Sequence, residues 1–443
     1  MASTMTPVPP DGGYGWVIVL AVFLQFAFGS QLMPLFDVLL GPKFVEIGAT
    51  STEIYSVYST FVVFWHSVSI FVGPLGDLRS ERFVAVCAII LQTLGLVISA
   101  FSTSVLHLVI GFGIILGCGM GLTNTNNIII INKYFQKRVG LAFGIAIASI
   151  SIIGLVTPQV LKILMENFIF EHVVLIYAGI SLTSGLLGAF LMHPVTKHSA
   201  VIEEEIEEDE SLMTKENDVA DKTETNCSFC QIFSLIKWSL LKDPYFLLIA
   251  VANSICFTVF VVQLPQISII AKESGFSLEE TANLVSILSA TDIISRLGQG
   301  FVGDLSCLAA TFNHPKKFLF TLNSICLAGI ITIMAYTQTF LQMVVLVCLT
   351  SVCNAGIMLN SSQVYRECFP NNFSSALGIA SFFRAFFALT IGPLAGFLKE
   401  HFQDFRASLF FLALCVLVWT LVLYIGDFVQ SNKKKEQRTS RNH

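Results

Sequence analysis

The sequence predicts an all-α polytopic membrane protein with twelve transmembrane helices in two six-helix bundles. Of its 443 residues, 54% are apolar and only 12% are charged, and the mean hydropathy is +0.75. A soluble domain carries about 25% charged residues, so this composition excludes a water-soluble fold. Apolar stretches of about 20 residues, enough to cross a hydrocarbon layer of about 30 Å, recur between short polar breaks.

These apolar stretches form two groups of six, as expected for a repeat of two bundles. The first group lies near residues 15–38, 53–74, 83–102, 105–130, 140–163 and 173–193. The second group lies near residues 245–270, 280–302, 318–337, 340–362, 375–398 and 407–428. We therefore predict five parts: an N-terminal segment (1–13), a first bundle (14–195), a linker (196–243), a second bundle (244–428) and a tail (429–443).

The linker and the short loops predict how the chain lies in the membrane. The linker contains the acidic runs 203–205 and 207–210, and with so few apolar residues we expect it to be a disordered tether. Basic residues concentrate after the second, fourth, eighth and tenth apolar stretches and in the tail. Because basic loops stay on the cytoplasmic side, we expect both termini and the linker in the cytoplasm.

Two opposite charges stand in the middle of the eighth apolar stretch. Asp292 and Arg296 are four residues apart and therefore share one face of a helix. A charge at the bilayer centre costs about 2.5–3.5 kcal/mol on insertion scales, so charges kept there usually face a partner or a water-filled path. We expect this pair to be a solute or ion site; the alternative is a structural ion pair that pins two helices together.

Three other polar side chains at membrane depth are candidates to line a cavity with Asp292 and Arg296. Arg384, in the eleventh stretch, either binds an anionic solute or pairs with a carboxylate. His66, in the second stretch, either contacts the solute or protons, or is a satisfied hydrogen-bonding partner between helices. Asn124 belongs to a polar cluster, residues 123–127, which either lines a cavity or bonds to neighbouring helices.

Several classes of protein are excluded by missing patterns. The sequence has no GxSxG or HExxH motif and no phosphate-binding Gly-Lys-Ser loop, so we predict neither an enzyme nor a cofactor. The isolated pair Cys227 and Cys230 lacks the second pair of ligands that a metal site needs, so no metal is predicted. No basic stripe lies beside aromatic platforms, so we expect no nucleic-acid partner.

The loop after the second apolar stretch carries a resemblance. Residues 73–82 read GPLGDLRSER and resemble the loop between helices 2 and 3 of the major facilitator superfamily, with Ser80 where that family often has glycine. There, Asp77 is expected at a helix end or paired across the cytoplasmic gate, and Arg82 is expected to bridge to the other bundle. A weaker copy that ends at Asp304 follows the eighth stretch, so the resemblance implies the fold of that superfamily.

Two further runs narrow the resemblance. DGGYGW at residues 11–16 and KYFQKR at residues 133–138 are similar to the signatures at helices 1 and 5 of the monocarboxylate transporter family, solute carrier family 16. The candidate gate and signature residues in these runs are Asp11, Gly13, Trp16, Tyr134, Lys137 and Arg138. Asp11 is placed to cap the first helix, and Trp16 is also an ordinary anchor at the membrane interface.

The resemblance implies roles for the charged pair. In the proton-coupled lactate and pyruvate carriers of this family, an Asp and an Arg one turn apart in helix 8 serve proton transfer and carboxylate binding; Asp292 and Arg296 match them. A guanidinium binds a carboxylate through two hydrogen bonds, and a neighbouring carboxylate exchanges a proton as the anion competes. The family's lysine in helix 1 is absent, and Pro34 takes its place; relatives without it include carriers of aromatic amino acids.

We therefore expect a plasma-membrane secondary transporter that moves a small carboxylate-bearing solute by alternating access, with or without linked protons. One alternative is a proton-independent facilitative carrier of an aromatic amino acid or another zwitterionic or neutral solute. A second alternative is a non-transporting sensor or scaffold that signals through the linker. The apolar composition implies contact with membrane lipid, and the resemblance implies a single-span immunoglobulin-like ancillary protein as a partner.

Overall fold

The computed structural model describes residues 11–32, 35–193, 233, 235–311 and 314–441, and these residues form helices and connecting turns without a strand. The predictions that fall on Pro34, on residues 1–10, on the cysteine pair of the linker and on most of the linker itself lie outside the described residues. The acidic runs of the linker are among them.

The first half of the chain forms eight α-helices within the described residues. They are α1 (Gly15–Gly29), α2 (Phe36–Ile47), α3 (Ser51–Val68), α4 (Val72–Leu78), α5 (Glu81–Ala100), α6 (Val105–Tyr134), α7 (Val139–Asn167) and α8 (Phe170–Leu191). A 3-10 turn, Ser69–Phe71, joins α3 to α4. The segment Val109–Leu116 of α6 is a π-helix, a form that interrupts α-helices and changes how their side chains face a neighbour.

The second half forms seven α-helices within the described residues. Its helices are α9 (Pro244–Glu273), α10 (Leu278–Gly303), α11 (Ser306–Thr311), α12 (Pro315–Met334), α13 (Phe340–Cys368), α14 (Phe373–Phe402) and α15 (Phe405–Arg441). The last helix continues past the predicted end of the twelfth apolar stretch. Lys, Glu, Gln and Arg, which fill the end of the chain, have high helix propensity, so the backbone remains helical where the apolar residues stop.

Ten of the described helices are long and apolar enough to cross a membrane. They are Ser56–Leu78, Glu81–Ala100, Val105–Tyr134, Val139–Asn167, Phe170–Leu191, Pro244–Gln263, Pro315–Met334, Phe340–Cys368, Pro370–Phe402 and Phe405–Gly426. The other two predicted spans correspond to the shorter apolar helix α1 and to α10, which carries the charged pair. The helices are therefore consistent with twelve spans, and that count stays a prediction.

Corresponding helices of the two halves begin with the same kind of cap. At the start of α3, the backbone N–H of Thr50 donates to Glu53 Oε2 at 2.8 Å. At the start of α10, the backbone N–H of Ser277 donates to Glu280 Oε2, also at 2.8 Å. In both of these capping boxes the hydroxyl of the Thr or Ser accepts a hydrogen bond in return from the backbone N–H of the Glu. Each helix therefore begins at a fixed residue. The second predicted span of each half thus begins with the same kind of cap, as expected of a repeat.

The two halves meet mainly along two pairs of helices. Helix α7 packs against α10, and α14 packs against α3. Glycines permit this close approach, because a methyl group on Gly140 would lie 2.5 Å from the carbonyl oxygen of Gly300. On α4, which follows α3, a methyl group on Gly73 would lie 2.8 Å from the Cβ of Ser374 of α14. The interface between the halves therefore contains the helices that carry the predicted charged residues.

Candidate functional site

Asp292 and Arg296 lie on α10 where it contacts α7. Arg296 Nε donates to Asp292 Oδ2 at 2.6 Å, and Arg296 Nη1 donates to the carbonyl oxygen of Ile147 at 3.0 Å. The hydroxyl of Ser151, one turn further along α7, donates to the same carboxylate oxygen. The side chain of Arg296 is 9% exposed and that of Asp292 is 16% exposed. The pair is thus buried between the halves, and each charge balances the other.

The hydrogen bonds of Asp292 and Arg296 connect the two halves of the chain. Both charges belong to α10, whereas Ile147 and Ser151, which accept from one and donate to the other, belong to α7. A motion that separates α7 from α10 must break both bonds. A carboxylate that reaches Arg296 competes with Asp292, because a guanidinium binds carboxylates through two parallel hydrogen bonds. The site can therefore couple an anion to the contact between the halves.

Arg384 lies on α14 and is buried at the other contact between the halves. Its Nη2 donates to Asn253 Oδ1 on α9 at 2.9 Å, and its guanidinium carbon lies 4.3 Å from the centre of the Phe257 ring. The residue is 4% exposed, and its Nε has no hydrogen-bond partner. Within the described part of the chain, no carboxylate forms an ion pair with it. Its positive charge is therefore not balanced as that of Arg296 is.

His66 reaches the same aromatic ring from the first half. Its imidazole stacks on Trp65 with ring centres 4.7 Å apart and planes 11° apart. It also meets the Phe257 ring edge-on, with centres 6.2 Å apart. Phe257 thus contacts His66 of α3 and Arg384 of α14, so the structure brings two of the predicted cavity residues to one place.

The polar cluster of α6, residues 123–127, was predicted either to line a cavity or to bond to neighbouring helices, and its residues differ in this respect. Asn126 Nδ2 donates to the carbonyl oxygen of Glu81 at 3.0 Å, and Gln92 donates to Thr123 Oγ1 at 2.7 Å. Those side chains are interhelical hydrogen-bonding partners. Asn124 is half-buried and takes part in neither bond, so its place in a cavity stays a prediction.

Asp304, at the end of α10, joins the halves directly. Its Oδ1 accepts from the backbone N–H of Gly140 at 2.9 Å, and its Oδ2 accepts from that of Leu141 at 2.8 Å. Lys316 Nζ donates to Oδ1 at 2.8 Å. Gly140 and Leu141 open α7, so a carboxylate of one half caps a helix of the other, where the helix dipole favours negative charge.

The matching loop of the first half does not make this contact. Asp77, in the last turn of α4, lies 3.9 Å from Lys133 of its own half, and its side chain is 61% exposed. Arg82 donates to the carbonyl oxygens of Phe190 at 2.6 Å and Met192 at 2.8 Å. The prediction that Arg82 bridges to the other bundle is therefore wrong. The guanidinium instead satisfies carbonyls that α8 leaves unpaired at its C-terminal end.

The two signature runs contact each other. Asp11 Oδ1 accepts from the backbone N–H groups of Gln136 and Lys137, both at 2.8 Å. The prediction that Asp11 caps the first helix is wrong, because α1 begins after Tyr14 without a side-chain cap. Gly13, with φ +54°, turns the backbone between Asp11 and α1, a conformation that glycine adopts at little cost. Asp11 thereby caps the turn that leads into α7.

The remaining signature residues strengthen the same corner of the first half. The Trp16 ring meets the Phe135 ring edge-on, with centres 5.3 Å apart. The hydroxyl of Tyr134 donates to the carbonyl oxygen of His193 at 2.8 Å. Arg138 is the N-cap residue directly before α7. These contacts fix the start of α7, to which Asp304 binds from the other half.

Sequence reasoning missed several residues of the interface. Arg366 on α13 donates through Nη1 to Asn132 Oδ1 at 2.7 Å and to the carbonyl oxygen of Phe135 at 2.8 Å, although its charge served only to predict topology. Asn253 was recognisable as a polar residue within the seventh apolar stretch. Phe257 gave no signal, because the chain has 39 phenylalanines and most phenylalanines in spans pack against helices or lipid.

Comparisons with known proteins agree with this architecture. The sequence profile described as the Major Facilitator Superfamily matches residues 12–306. The crystal structure of the E. coli fucose:proton symporter FucP resembles this one with a TM-score of 0.65, covering 93% of this chain and 98% of that chain at 14% identity. The chain belongs to the major facilitator superfamily.

Within that superfamily, its similar relatives are monocarboxylate transporters. Monocarboxylate transporter 12 of Xenopus laevis is 27% identical over 97% of this chain and 92% of that protein. Monocarboxylate transporter 13 of Rattus norvegicus is 25% identical over 90% of this chain and 86% of its own length. Monocarboxylate transporter 2 of Mesocricetus auratus is 24% identical, over 98% and 88%. The resemblance to this transporter family is confirmed, and the chain is a multi-pass membrane transporter and not an enzyme.

Proposed function

We propose that the protein is a secondary carrier that moves a small carboxylate-bearing solute across the plasma membrane by alternating access. The observation that carries this proposal is the buried Asp292–Arg296 pair at the contact between α7 and α10. Its remaining hydrogen bonds come from Ile147 and Ser151 of the opposite half. Rocking of the halves about a central site is the usual mechanism of this fold, and such a motion acts directly on these bonds.

In this proposal Arg296 takes the carboxylate of the solute and Asp292 is the proton-responsive partner. Protonation removes the negative charge of Asp292 and so leaves the guanidinium to the arriving anion. Once the pair has opened, α10 no longer holds Ile147 and Ser151, and the halves are free to separate. Asp304 acts as the gate residue at the start of α7, and His66 and Asn124 line the path of the solute.

The same proposal places both termini in the cytoplasm, as the distribution of basic loops favours. Membrane lipid and a single-span immunoglobulin-like ancillary protein are proposed partners, and protons are proposed as the coupled ion.

A proton-independent facilitative carrier is the second candidate. Pro34 stands where the proton-coupled members of the family have a lysine, and that difference favours a zwitterionic or neutral solute such as an aromatic amino acid. The two candidates differ in whether an external proton gradient drives uptake.

Uptake measurements separate the two candidates. An untargeted metabolite comparison of cells with and without the chain identifies the solute, and uptake of the labelled solute is then measured at acidic and neutral external pH, with and without a protonophore. Coupled transport predicts faster uptake at acidic pH and a flat pH profile in Asp292→Asn. Uptake that ignores both pH and protonophore supports the facilitative carrier, and the absence of any solute difference contradicts the carrier altogether.

A further inference from the structure

Arg384 and the aromatic residues around it form a second cationic site between the halves. We propose that the solute's carboxylate docks on Arg384 in the described conformation. The solute is then a carboxylate with a planar, apolar body, which packs against Phe257 and the stacked rings of Trp65 and His66. This inference rests on the proposed function and adds the class of solute and the order of its contacts.

The charge balance of the two arginines supports this assignment. Arg296 is neutralised by Asp292 at 2.6 Å. Arg384 is compensated by groups without a full negative charge: the amide oxygen of Asn253, the face of the Phe257 ring and the neighbouring side chain of Tyr365. A buried charge without a counter-ion is costly, and a ring face offers a cation only a modest attraction. An anion that docks beside Arg384 supplies the missing charge.

Two unpaired donors mark where polar groups of the solute would lie. Arg384 Nε is buried without an acceptor, so a carboxylate oxygen placed there completes the guanidinium's hydrogen bonds. The indole Nε1 of Trp65 is also buried without a partner. Both donors belong to one cluster, because Phe257 contacts Arg384 and also His66, which stacks on Trp65. A second acceptor on the solute, such as a carbonyl oxygen, would pair with Trp65.

The aromatic rings specify the rest of the solute. Trp65 and His66 stack as a pair, and Phe257 meets both His66 and Phe260 edge-on, the latter with centres 5.5 Å apart. Flat rings pack well against such surfaces in offset or edge-to-face contacts. Because α3 belongs to one half and α9 and α14 to the other, a solute in this position contacts both halves before the Asp292–Arg296 pair opens.

Binding to the purified full-length chain in detergent tests the proposal. Phenylacetate is the probe, and phenylacetamide, which has the same ring without the charge, is its matched control. The readouts are the thermal unfolding midpoint and tryptophan fluorescence, with Trp65→Phe identifying which of the four tryptophans responds. We expect phenylacetate to raise the midpoint and change the Trp65 signal, and phenylacetamide to do neither.

Substitutions then assign the carboxylate to one arginine. Arg384→Gln is expected to raise the Kd for phenylacetate about tenfold to a hundredfold, the range for a lost charged hydrogen bond. Arg296→Gln is measured beside it, and Arg79→Gln, which changes an exposed arginine outside both sites, is the control that is expected to stay within about twofold of the wild type. If Arg384→Gln does not fold, Arg384→Lys keeps the charge and is expected to bind about tenfold more weakly, because an ammonium lacks the two-pronged geometry.

The outcomes that overturn the inference are distinct from those that overturn the carrier. No response of the wild type to phenylacetate, an equal response to phenylacetamide, or unchanged affinity in the Arg384 variants overturns the inference. Loss of binding in Arg296→Gln alone moves the carboxylate to Arg296 and leaves the proposed function standing. The carrier itself fails if no solute differs between cells with and without the chain, or if the wild type, reconstituted into liposomes, moves none of the solutes that do differ.

Discussion

The molecule buries two arginines at the contact between its halves, and it surrounds them differently. Arg296 meets a carboxylate one turn away, a carbonyl of the opposite helix and, through Asp292, a hydroxyl. Arg384 meets an amide oxygen, a ring face and the side chain of Tyr365, with no carboxylate among its described partners, and its Nε has no hydrogen-bond partner. The two arginines are therefore buried to a similar extent, but the charge of Arg296 is balanced by a carboxylate and that of Arg384 is not. A neutral pair is suited to hold and release the halves, and an unbalanced cation is suited to receive an anion.

The largest expected effect comes from breaking the balanced pair. Arg296→Leu leaves the carboxylate of Asp292 buried with only Ser151 as a described partner, and breaking a buried ion pair costs about 3–5 kcal/mol. The double variant Asp292→Leu with Arg296→Leu is expected to recover most of this loss, because neither charge remains. Thermal unfolding of the purified chain measures both, and a double variant no more stable than the single one would contradict the pairing.

Arg384→Leu is the matched control for that experiment. It removes a buried arginine without leaving a described carboxylate unpaired, so we expect a clearly smaller loss of stability than for Arg296→Leu. Equal losses would show that the two arginines are balanced alike and would break the comparison.

An intermediate effect on uptake is expected at the contact between α7 and α10, where glycines allow the two helices to approach closely. In Gly300→Ala the new methyl group would lie 2.5 Å from the carbonyl oxygen of Gly140, and overpacking of this kind costs about 1–3 kcal/mol. Initial uptake rates in proteoliposomes are expected to fall about fivefold to a hundredfold. Gly298→Ala, two residues away, meets nothing within 4 Å and should leave the rate unchanged; equal rates in the two variants would refute the close contact.

The smallest expected effect on stability comes from the two related loops, which contain Asp304 and Asp77. Asp304→Asn removes the charge at the start of α7 and the ion pair with Lys316, which we expect to lower stability by about 1 kcal/mol. Asp77→Asn changes an exposed side chain whose partner is 3.9 Å away, and such pairs contribute little. The unfolding midpoint should therefore fall only in Asp304→Asn. A fall in Asp77→Asn alone would mean that the gate lies in the first loop.

The sequence predicted those features that depend on neighbours along the chain. Apolar stretches of spanning length predicted the helices, and the four-residue spacing of Asp292 and Arg296 predicted that the two charges share one face of a helix, where the structure pairs them. Features that depend on which helices meet were missed or wrong. Asp11 binds a turn more than a hundred residues away, and Arg82 binds the end of α8 rather than the other half. No local pattern distinguishes these partners from those that we expected.

The surroundings of Arg384 were not predictable for the same reason, because they depend on which helices meet. A single charge in an apolar stretch predicts that something must compensate it, and the sequence left open whether a carboxylate of the chain or a solute does so. The contact with Phe257 and the amide of Asn253 come from α9, which lies more than a hundred residues earlier. Only the packing of α9 against α14 brings them to Arg384.

The most direct measurement of the central claim is the uptake of the identified solute into liposomes that contain equal amounts of folded wild type or Arg296→Gln. If the pair between α7 and α10 couples the anion to the movement of the halves, uptake by Arg296→Gln falls to the level of empty liposomes while phenylacetate still binds. Uptake equal to that of the wild type would contradict the account, because the buried pair would then take no part in transport.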